Sequence, residues 1–208
     1  MPSKLLVIAG GSGSGKSTLA IGLHNRYPAV FSLVQMDDYY HTAEDAPKLP
    51  DGKPDWDTPE ALRFDDLVRD IRLLLNGSPI TIRTKSELHN LGYRAALRNK
   101  IECTIPPRKI ILVEGYLCLY DPHIRNLADL SIFLDMPIEE SVRRRSSNKF
   151  DATEEYFQSV LIPAHYRFVA PTKRYANEIV KVALCSKDKV LHAVEGILKA
   201  QGFQAEMH

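Results

Sequence analysis

The segment GGSGSGKS, Gly10 to Ser17, limits the possible folds of this chain more than any other feature. It fits the pattern G-x-x-x-x-G-K-[ST] with extra glycines, and the apolar run KLLVIA stands just before it. Glycines let successive backbone N–H groups turn inward around phosphate oxygens, and a helix that starts after them presents its positive end to the same group. A strand, a glycine-rich loop and a helix in this order therefore predict a phosphate-binding loop.

Two side chains of this loop have predictable contacts. Lys16 is expected to reach the β- and γ-phosphates of a nucleotide, and the Ser17 hydroxyl is expected to hold Mg²⁺. In the run KIILVEG, Glu114 ends an apolar strand, where an acid can approach Mg²⁺ directly or through water. The predicted nucleotide-binding residues are Gly11, Ser12, Gly13, Ser14, Gly15, Lys16, Ser17 and Thr18.

Short apolar runs alternate with amphipathic segments along the chain, which is typical of an α/β protein with a parallel sheet. Near-continuous apolar runs such as IILV fit strands that are covered on both faces. We therefore expect a doubly wound, five-stranded parallel sheet in a single domain of residues 1–208. The predicted strands are Lys4–Ala9, Val30–Met36, Lys109–Gly115, Leu130–Asp135 and Glu178–Leu184.

Helices are expected between these strands. One follows the phosphate loop, and a second runs from about Thr58, which we interpret as its N-cap, to Leu75. Residues 78–107 carry the strand-like ends ITIRT and IECTI around a polar middle, which predicts a small β-ribbon insertion. The other predicted helices are Ile138–Asn148, Glu154–Phe168 and Lys187–Gln201.

Composition and charge exclude several classes of function. The formal net charge of +1 gives no electrostatic sign of binding to nucleic acid or to an anionic membrane. No apolar run approaches the length of a membrane span, and the start MPSKLLVIAGG becomes glycine-rich too early for a signal peptide. The 3 cysteines form no Cys-x-x-Cys pair, which favours reduced thiols. We expect a cytoplasmic protein with a small-molecule substrate; its oligomeric state is open.

The stretch VQMDDYY ends an apolar strand in two adjacent carboxylates, Asp37 and Asp38. Adjacent like charges are costly to bury, so water or a ligand is expected to meet them. Ligands bind beyond the carboxyl ends of the strands in an open parallel sheet, and a carboxylate there can accept the proton of a substrate hydroxyl. Successive strand residues point to opposite sides, so one Asp is expected to face the reaction, and periodicity does not say which.

Several motifs together resemble those of the uridine–cytidine kinase family. They are DDYY, DWDTPEAL, VEGY, RRRSS and FVAPTKRYAN, and the matches spread from about Leu5 to Val180. The chain is also similar to the nicotinamide riboside kinases, which carry Gln-Asp-Asp-Phe-Phe and Lys-Arg-Arg-Arg-Ser. The resemblance implies a phosphate-loop kinase fold, with ATP and Mg²⁺ as cofactors. It also implies phosphorylation of the 5′-hydroxyl of a ribonucleoside, with uridine or cytidine favoured over nicotinamide riboside.

The resemblance also assigns substrate-site residues. Uridine kinases keep an Asp at the first acidic position of the DDYY motif and a Ser at the second, which makes Asp37 the catalytic residue. The same motif adds Tyr39 to the predicted substrate site. In the segment DWD, Asp57 corresponds to the carboxylate that accepts hydrogen bonds from the 2′- and 3′-hydroxyls, and Trp56 corresponds to an aromatic residue that stacks on the base.

Residues 138–152 are expected to form a helical lid, since they contain SVRRRSSNK. Arg144 and Arg145 match the paired arginines of the uridine kinase lid, and Arg143 matches the tri-arginine of the riboside kinases. Arginines here would offset charge on the transferring phosphoryl group and exclude water when the lid closes. Uridine kinases usually have one more Arg, six positions after the residue that matches Asp135, and this chain has Ser141 there.

The sequence does not determine which nucleobase the acceptor carries. Uridine kinases read the pyrimidine through a Tyr-Asp-Phe in the ribbon and a following His. This chain has ITIRTKSELHNLGYR there, with His89 and Tyr93 nearby.

Other functions are also compatible with these motifs. Phosphoribulokinase-like and other kinases of small hydroxyl compounds share the catalytic core. A nucleotide-dependent switch is the alternative of another class. The segment NKFD resembles a guanine-reading motif, but it follows a basic helical stretch instead of an apolar strand, and the chain contains no Asp-x-x-Gly.

Overall fold

The computed structural model describes residues 2–86, 88, 100–148 and 153–203. No helix within these ranges is long and apolar enough to cross a membrane. His89, Tyr93, the middle of the predicted ribbon and residues 149–152 of the predicted lid lie outside the described residues.

The main sheet has five parallel strands in the order β2-β5-β1-β6-β7. A second sheet is an antiparallel ribbon of β3 and β4, in which Ile80 pairs with Ile105. This arrangement confirms the predicted fold class, a doubly wound sheet with a small ribbon insertion. The strands are β1 (Lys4–Gly10), β2 (Phe31–Gln35), β3 (Ile80–Thr84), β4 (Ile101–Ile105), β5 (Ile110–Glu114), β6 (Leu130–Asp135) and β7 (Glu178–Lys181).

Successive residues of β1 face two different hydrophobic cores. Leu5 and Val7 belong to one cluster and Leu6 and Ile8 to the other, and all four are fully buried. The alternation of side chains along a strand puts apolar residues on both faces, which explains the continuous apolar run in the sequence. β1 pairs with β5 on one side and β6 on the other, so the loop that follows it leaves from the middle of the sheet.

Helices cover both faces of the sheet. Helix α2 packs in the core of Leu5, and α1 and α7 pack in the core of Leu6. The helices are α1 (Lys16–Arg26), α2 (Phe64–Leu75), α3 (Pro122–Leu127), α4 (Ile138–Asn148), α5 (Glu154–Tyr156), α6 (Ile162–Ala164) and α7 (Lys187–Ala200). The bounds predicted for α4 are confirmed, and α7 ends one residue before its predicted end.

The prediction that α2 begins at Thr58 is wrong. Residues Pro59–Ala61 form a 3₁₀ turn, and the helix begins at Phe64. The Thr58 hydroxyl caps no N–H group and instead donates to the Glu60 carboxylate. Leu62 pairs with Tyr40 in a β-bridge that is flanked by further backbone hydrogen bonds. This tertiary backbone pairing holds the chain extended before α2 and overrides the local helix signal.

The predicted single helix Glu154–Phe168 is a series of helical turns of different pitch. Helices α5 and α6 alternate with π-helical turns at Phe157–Leu161 and His165–Val169. Pro163 has no N–H to donate to the preceding turn, which interrupts the regular α-helical hydrogen bonds. Phe157 and Leu161 nevertheless bury their side chains against Ile138 of α4, so this helical run packs on the helix of the predicted lid.

Candidate functional site

A cleft of about 1480 Å³ lies at the carboxyl ends of β1, β2 and β5. The phosphate loop lies between two halves of this cleft, which we name by the ligand expected in each. The donor half is lined by Thr18, Gly22, Val182, Cys185, Lys187 and Leu191. The acceptor half is lined by Asp37, Tyr40, Trp56, Asp57, Lys85, Lys100 and Tyr116. This is the edge of an open parallel sheet at which ligands bind.

The phosphate loop needs its glycines for space and for backbone conformation. A Cβ added at Gly10 would lie 2.5 Å from the Leu134 carbonyl oxygen, which is closer than real Cβ contacts allow. Gly15 precedes α1 with φ 90°, in the left-handed region that favours glycine. The loop therefore turns tightly out of β1 and presents the N-terminus of α1 to the cleft.

Lys16 is buried beneath this loop, and its Nζ donates to the Gly11 carbonyl oxygen at 2.9 Å. Burial lowers the pKa of Lys16, while the Glu114 and Asp37 carboxylates act in the opposite direction. The Ser14 hydroxyl, also buried, has no hydrogen-bond partner among the described residues. A buried lysine and a buried, unpaired hydroxyl in a glycine-rich loop before a helix fit a phosphate ligand, which supplies acceptor oxygens to both.

Glu114 is buried at the end of β5, where its Oε1 accepts a hydrogen bond from Gln35 Nε2 at 2.8 Å. The Ser17 hydroxyl is close enough to this carboxylate to lower its pKa. Burial raises the pKa of Glu114, and the nearby Asp37 raises it further, while Lys16 lowers it. Two carboxylates and a hydroxyl are the hard oxygen ligands that Mg²⁺ prefers. The described residues hold no cluster of 3 or more His, Cys, Asp and Glu side chains placed for a metal ion.

Asp37 and Asp38 differ sharply in environment. Asp37 is exposed and lines the cleft, whereas Asp38 is buried and does not line it. Asp38 Oδ1 accepts from the Lys85 N–H at 3.4 Å, and burial raises the pKa of Asp38. The chain leaves β2 at Gln35 and continues as a 3₁₀ turn over Met36–Tyr39, so strand alternation does not govern these side chains. Asp38 anchors the end of the ribbon strand β3, and Asp37 faces the ligand space.

The structure contradicts the prediction that Tyr39 belongs to the substrate site. Tyr39 is buried in the core, and its hydroxyl donates to Asp70 Oδ2 on α2 at 2.8 Å. The 3₁₀ turn rotates Tyr39 inward, and the next residue, Tyr40, lines the cleft instead. The prediction placed the correct motif at the cleft but chose the wrong tyrosine, because it assumed that the extended strand continued.

Trp56 lines the acceptor half with part of its side chain exposed. Its carbonyl oxygen accepts from the Tyr116 hydroxyl at 2.7 Å and from the Tyr40 hydroxyl at 3.1 Å. The rings of Tyr40 and Trp56 meet edge to face, with centroids 5.5 Å apart. Two tyrosines from different strand ends thus fix the loop that carries Trp56, and the three aromatic side chains form one wall of the acceptor half.

Asp57 is contacted by two residues from the lid and the helical run after it. Its Oδ2 accepts a hydrogen bond from the Tyr156 hydroxyl, and its Oδ1 lies 3.7 Å from Arg145 Nη1. Arg145 Nη1 also donates to the Ser12 hydroxyl at 3.1 Å. Arg145 Nε is buried and has no partner among the described residues. The guanidinium of Arg145 therefore lies between the phosphate loop and Asp57, and its buried Nε–H remains available to a ligand.

The side chains of the three arginines in the predicted lid point in different directions. Arg144 lines the cleft and donates from Nη2 to the Ala183 carbonyl oxygen at 3.0 Å. Arg143 is exposed, does not line the cleft and forms a two-pronged pair with Glu140. The structure therefore contradicts the prediction that Arg143 contacts the substrate. Consecutive helical residues are separated by about 100°, so three in a row cannot face one ligand.

Ser141, which replaces the additional arginine of uridine kinases, is buried and donates its hydroxyl to the Ser12 carbonyl oxygen. The lid helix α4 is thus attached to the phosphate loop by a short side chain where the resemblance led us to expect a long cationic one. A serine can make this contact only because α4 and the loop lie close together.

Several residues in or next to the cleft were not predicted from the sequence. Tyr116 lies in the VEGY motif, which was recognised, but no role was given to its tyrosine. Tyr156 has no motif around it that we could recognise. Lys85 directly follows β3 and Lys100 directly precedes β4, and the pairing of these two strands brings them to the same end of the ribbon. Burial lowers the pKa of Lys100, and Asp38 partly offsets this effect.

Comparison with known proteins gives a consistent family match. The model of the Phosphoribulokinase / Uridine kinase family matches residues 5–188. A uridine kinase of Clostridium botulinum (strain Okra / Type B1) is 30% identical over 184 residues, which cover 85% of this chain and 86% of that protein. A uridine kinase of Geobacillus kaustophilus is 33% identical over 183 residues and 83% of each chain. These matches confirm the resemblance to uridine kinases; the resemblance to nicotinamide riboside kinases stays a prediction.

Solved structures agree on the fold. The chain is similar to a possible uridine kinase from Bacillus stearothermophilus, with a TM-score of 0.61 and 19% identity over 87% of this chain and 90% of that one. It is also similar to a phosphoribulokinase from Rhodobacter spheroides, with a TM-score of 0.59 and 12% identity over 91% of this chain and 74% of that one. At these identities, the similarity concerns the fold alone.

Proposed function

Because this chain belongs to the Phosphoribulokinase / Uridine kinase family, we propose that it transfers the γ-phosphoryl group of ATP to the 5′-hydroxyl of a ribonucleoside, with uridine or cytidine as the acceptor. One observation carries the proposal: the phosphate loop, Asp37 and Asp57 line a single continuous cleft. A phosphate donor and a sugar acceptor bound in its two halves would meet at the loop.

The donor is held by the phosphate loop. Its backbone N–H groups and the Ser14 hydroxyl surround the phosphates, and Lys16 carries its charge to the β- and γ-phosphate oxygens. The residues that would hold Mg²⁺ are Ser17 and Glu114, with Asp37 close enough to influence the same ion electrostatically. Mg²⁺ bound there supplies positive charge for the phosphate oxygens. The hydrogen bond from Gln35 fixes the Glu114 carboxylate in position for this role.

Asp37 accepts the proton of the acceptor hydroxyl in this proposal. It is the exposed member of the acidic pair and lies in the cleft near Lys16, whose pKa it influences. A carboxylate at this place can take the proton of the acceptor hydroxyl as its oxygen attacks phosphorus. Asp38, which is buried and holds the Lys85 N–H, is left with a structural role.

The acceptor is held by Asp57 and Trp56. The Asp57 carboxylate has free lone pairs for the 2′- and 3′-hydroxyls, and Trp56 offers a ring to the base. Arg144 and Arg145 approach the loop from the lid helix and would offset charge on the transferring phosphoryl group. We also propose that residues 1–208 form one kinase domain and that the protein acts in the cytoplasm.

Nicotinamide riboside is the second candidate acceptor. Trp56 directly precedes Asp57 and lines the cleft, and an aromatic residue at this place would stack on a pyridinium ring as well as on a pyrimidine. The ribbon carries no Tyr-Asp-Phe for reading a pyrimidine. The two candidates share the ribose and its 5′-hydroxyl, so they require the same clamp and the same base.

The test is acceptor-dependent release of ADP, measured with a panel of uridine, cytidine, other ribonucleosides and nicotinamide riboside. We expect negligible ADP release without an acceptor and strong release with one or two members of the panel, together with a 5′-monophosphate product. ATP hydrolysis that is unaffected by every acceptor would overturn the kinase proposal and favour a nucleotide-dependent switch. Lys16→Ala, run in parallel, shows that the ADP comes from this site.

A further inference from the structure

The Tyr156 hydroxyl donates a hydrogen bond to Asp57 Oδ2, although the two residues are far apart in the sequence. Tyr156 ends α5, and its N–H is capped by the Thr153 hydroxyl at 3.2 Å. The ring is half-buried and lies next to Phe157, which anchors this helical run to α4. Tyr156 does not line the cleft, so it would reach an acceptor only through the carboxylate that it holds.

We propose that Tyr156 is a positioning residue that fixes the orientation of the Asp57 carboxylate and thereby makes the enzyme selective for acceptors with two neighbouring ribose hydroxyls. The proposal rests on the proposed function, in which Asp57 binds the 2′- and 3′-hydroxyls. Nothing in the sequence motifs of the site assigns a role to Tyr156.

The geometry of Asp57 leaves room for a substrate while the tyrosine is in place. A carboxylate has two oxygens with about four lone-pair directions. Tyr156 takes one on Oδ2, and Arg145 approaches Oδ1 at 3.7 Å, which is longer than a good hydrogen bond. The remaining lone pairs can accept from two hydroxyls on adjacent carbons. Without the tyrosine, the terminal torsion of an aspartate is broad, and the carboxylate plane would rotate.

The tyrosine is suited to act as a permanent donor. Burial and the neighbouring Asp57 carboxylate raise the pKa of Tyr156, so its hydroxyl keeps its proton throughout the physiological range. A neutral donor orients Asp57 without cancelling its charge, whereas a lysine at this place would compete with the substrate as a full counter-ion. The negative carboxylate therefore stays available to the sugar.

Tyr156 also contacts the second partner of Asp57. The Arg145 guanidinium lies 5.9 Å from the centre of the Tyr156 ring, and its Nη1 reaches the Ser12 hydroxyl of the phosphate loop. Tyr156 thus supports the carboxylate directly and contacts the arginine that links it to the donor half. Both contacts come from one rigid side chain with only two rotatable angles.

The experiment compares Tyr156→Phe with the wild-type enzyme and with Tyr166→Phe. Tyr166 lies on the same helical run, but its side chain is exposed, and so it controls for loss of a hydroxyl. We expect Tyr156→Phe to raise KM for the best ribonucleoside about tenfold, because it removes one hydrogen bond to a charged group. KM for ATP and kcat should change less than threefold. The matching 2′,3′-dideoxynucleoside should show little difference between wild type and variant, since it does not use the oriented oxygens.

A double-mutant cycle with Asp57→Asn separates positioning from general structural support. If Tyr156 acts through Asp57, adding Tyr156→Phe to Asp57→Asn should cause little further loss for the ribonucleoside. The inference would be overturned if the losses caused by the two single substitutions multiplied in the double variant. An unchanged KM in Tyr156→Phe, or an equal effect of this substitution on the dideoxynucleoside, would also overturn it. Wild-type enzyme that phosphorylates no ribonucleoside would overturn the proposed function, which is a different result from an active enzyme indifferent to Tyr156→Phe. A thermal unfolding scan of each variant checks the fold, and a Tyr156→Phe protein that fails to fold would also refute a positioning role.

Discussion

Met36 packs directly on Gly115. A Cβ added at Gly115 would lie 2.4 Å from the Met36 Cβ and 3.0 Å from the Cys118 Sγ. Met36 begins the turn that carries Asp37, and Gly115 directly follows Glu114. This contact therefore sets the separation between the base proposed for the acceptor and the carboxylate proposed for Mg²⁺, and any side chain at position 115 would change it.

Gly115→Ala is expected to destabilise the protein and to lower kcat. Overpacking a rigid core typically costs about 1–3 kcal/mol, and the shift would move two functional carboxylates relative to each other. Gly196→Ala is the matched control, because this glycine lies in α7 with nothing within 4 Å of the added Cβ. Alanine is the better helix former, so the control should be neutral or slightly stabilising. Equal unfolding midpoints and equal kcat for the two variants would contradict the close contact.

Lys16→Ala is expected to lower kcat by about 10²–10³-fold while the protein remains folded, because it removes the charge that meets the β- and γ-phosphates. Lys181→Ala on the exposed side of β7 serves as a charge-matched control and should retain near-wild-type activity. Steady-state kinetics at saturating acceptor, with circular dichroism as the fold check, provides the measurement. A folded Lys16→Ala enzyme with normal turnover would remove the basis for the donor site.

Asp37→Asn and Asp38→Asn are expected to separate chemistry from structure. The amide at position 37 preserves size but cannot take the proton, so kcat should fall about 10²–10⁴-fold with a smaller change in KM for the nucleoside. Asp38→Asn should act mainly on stability and on the ribbon, since Asp38 holds the Lys85 N–H. Both constants should be measured at saturating ATP and Mg²⁺. A larger loss of kcat at position 38 than at position 37 would reverse the assignment.

Arg145→Ala and Arg143→Ala are expected to differ although the residues are near neighbours on one helix. Arg145 reaches the Ser12 hydroxyl and Asp57, so its loss should lower kcat/KM at least about 100-fold. Arg143 pairs with Glu140 on an exposed face, and such pairs contribute about 0–1 kcal/mol, so its loss should change kcat/KM less than about threefold. Equal effects of the two substitutions would show that the lid moves further in catalysis than the structure implies.

The fold and the tight turn of the glycine-rich loop could be predicted from the sequence because their signals are local. A strand before a glycine-rich loop and a helix after it favour a phosphate-binding loop, and β5 and β6 are mostly apolar. The residues concerned lie within a few positions of one another. For the same reason, α4 could be placed to the residue from its own sequence.

The acceptor half could be predicted only in part, because its geometry depends on contacts between distant segments. The start of α2 is set by the pairing of Leu62 with Tyr40, and the inward direction of Tyr39 is set by a hydrogen bond to Asp70. Tyr156 meets Asp57 through the packing of Phe157 on the lid. No periodicity in any one of these segments contains that information.

The two halves of the cleft are lined by different parts of the sequence. The donor half is built from residues 12–22 and from residues 182–191 near the other end of the chain, whereas the acceptor half comes from the continuous middle, residues 37–116. A single exchange of this middle portion with that of a relative would replace the lining of the acceptor half together with Glu114, and would leave the phosphate loop and residues 182–191 in place. The residues that line the acceptor half are thus inherited as one block, whereas Arg145 and Tyr156, which contact Asp57, come from the other parent. A hybrid enzyme made at these two junctions should read the base as one parent does and keep the nucleotide preference of the other.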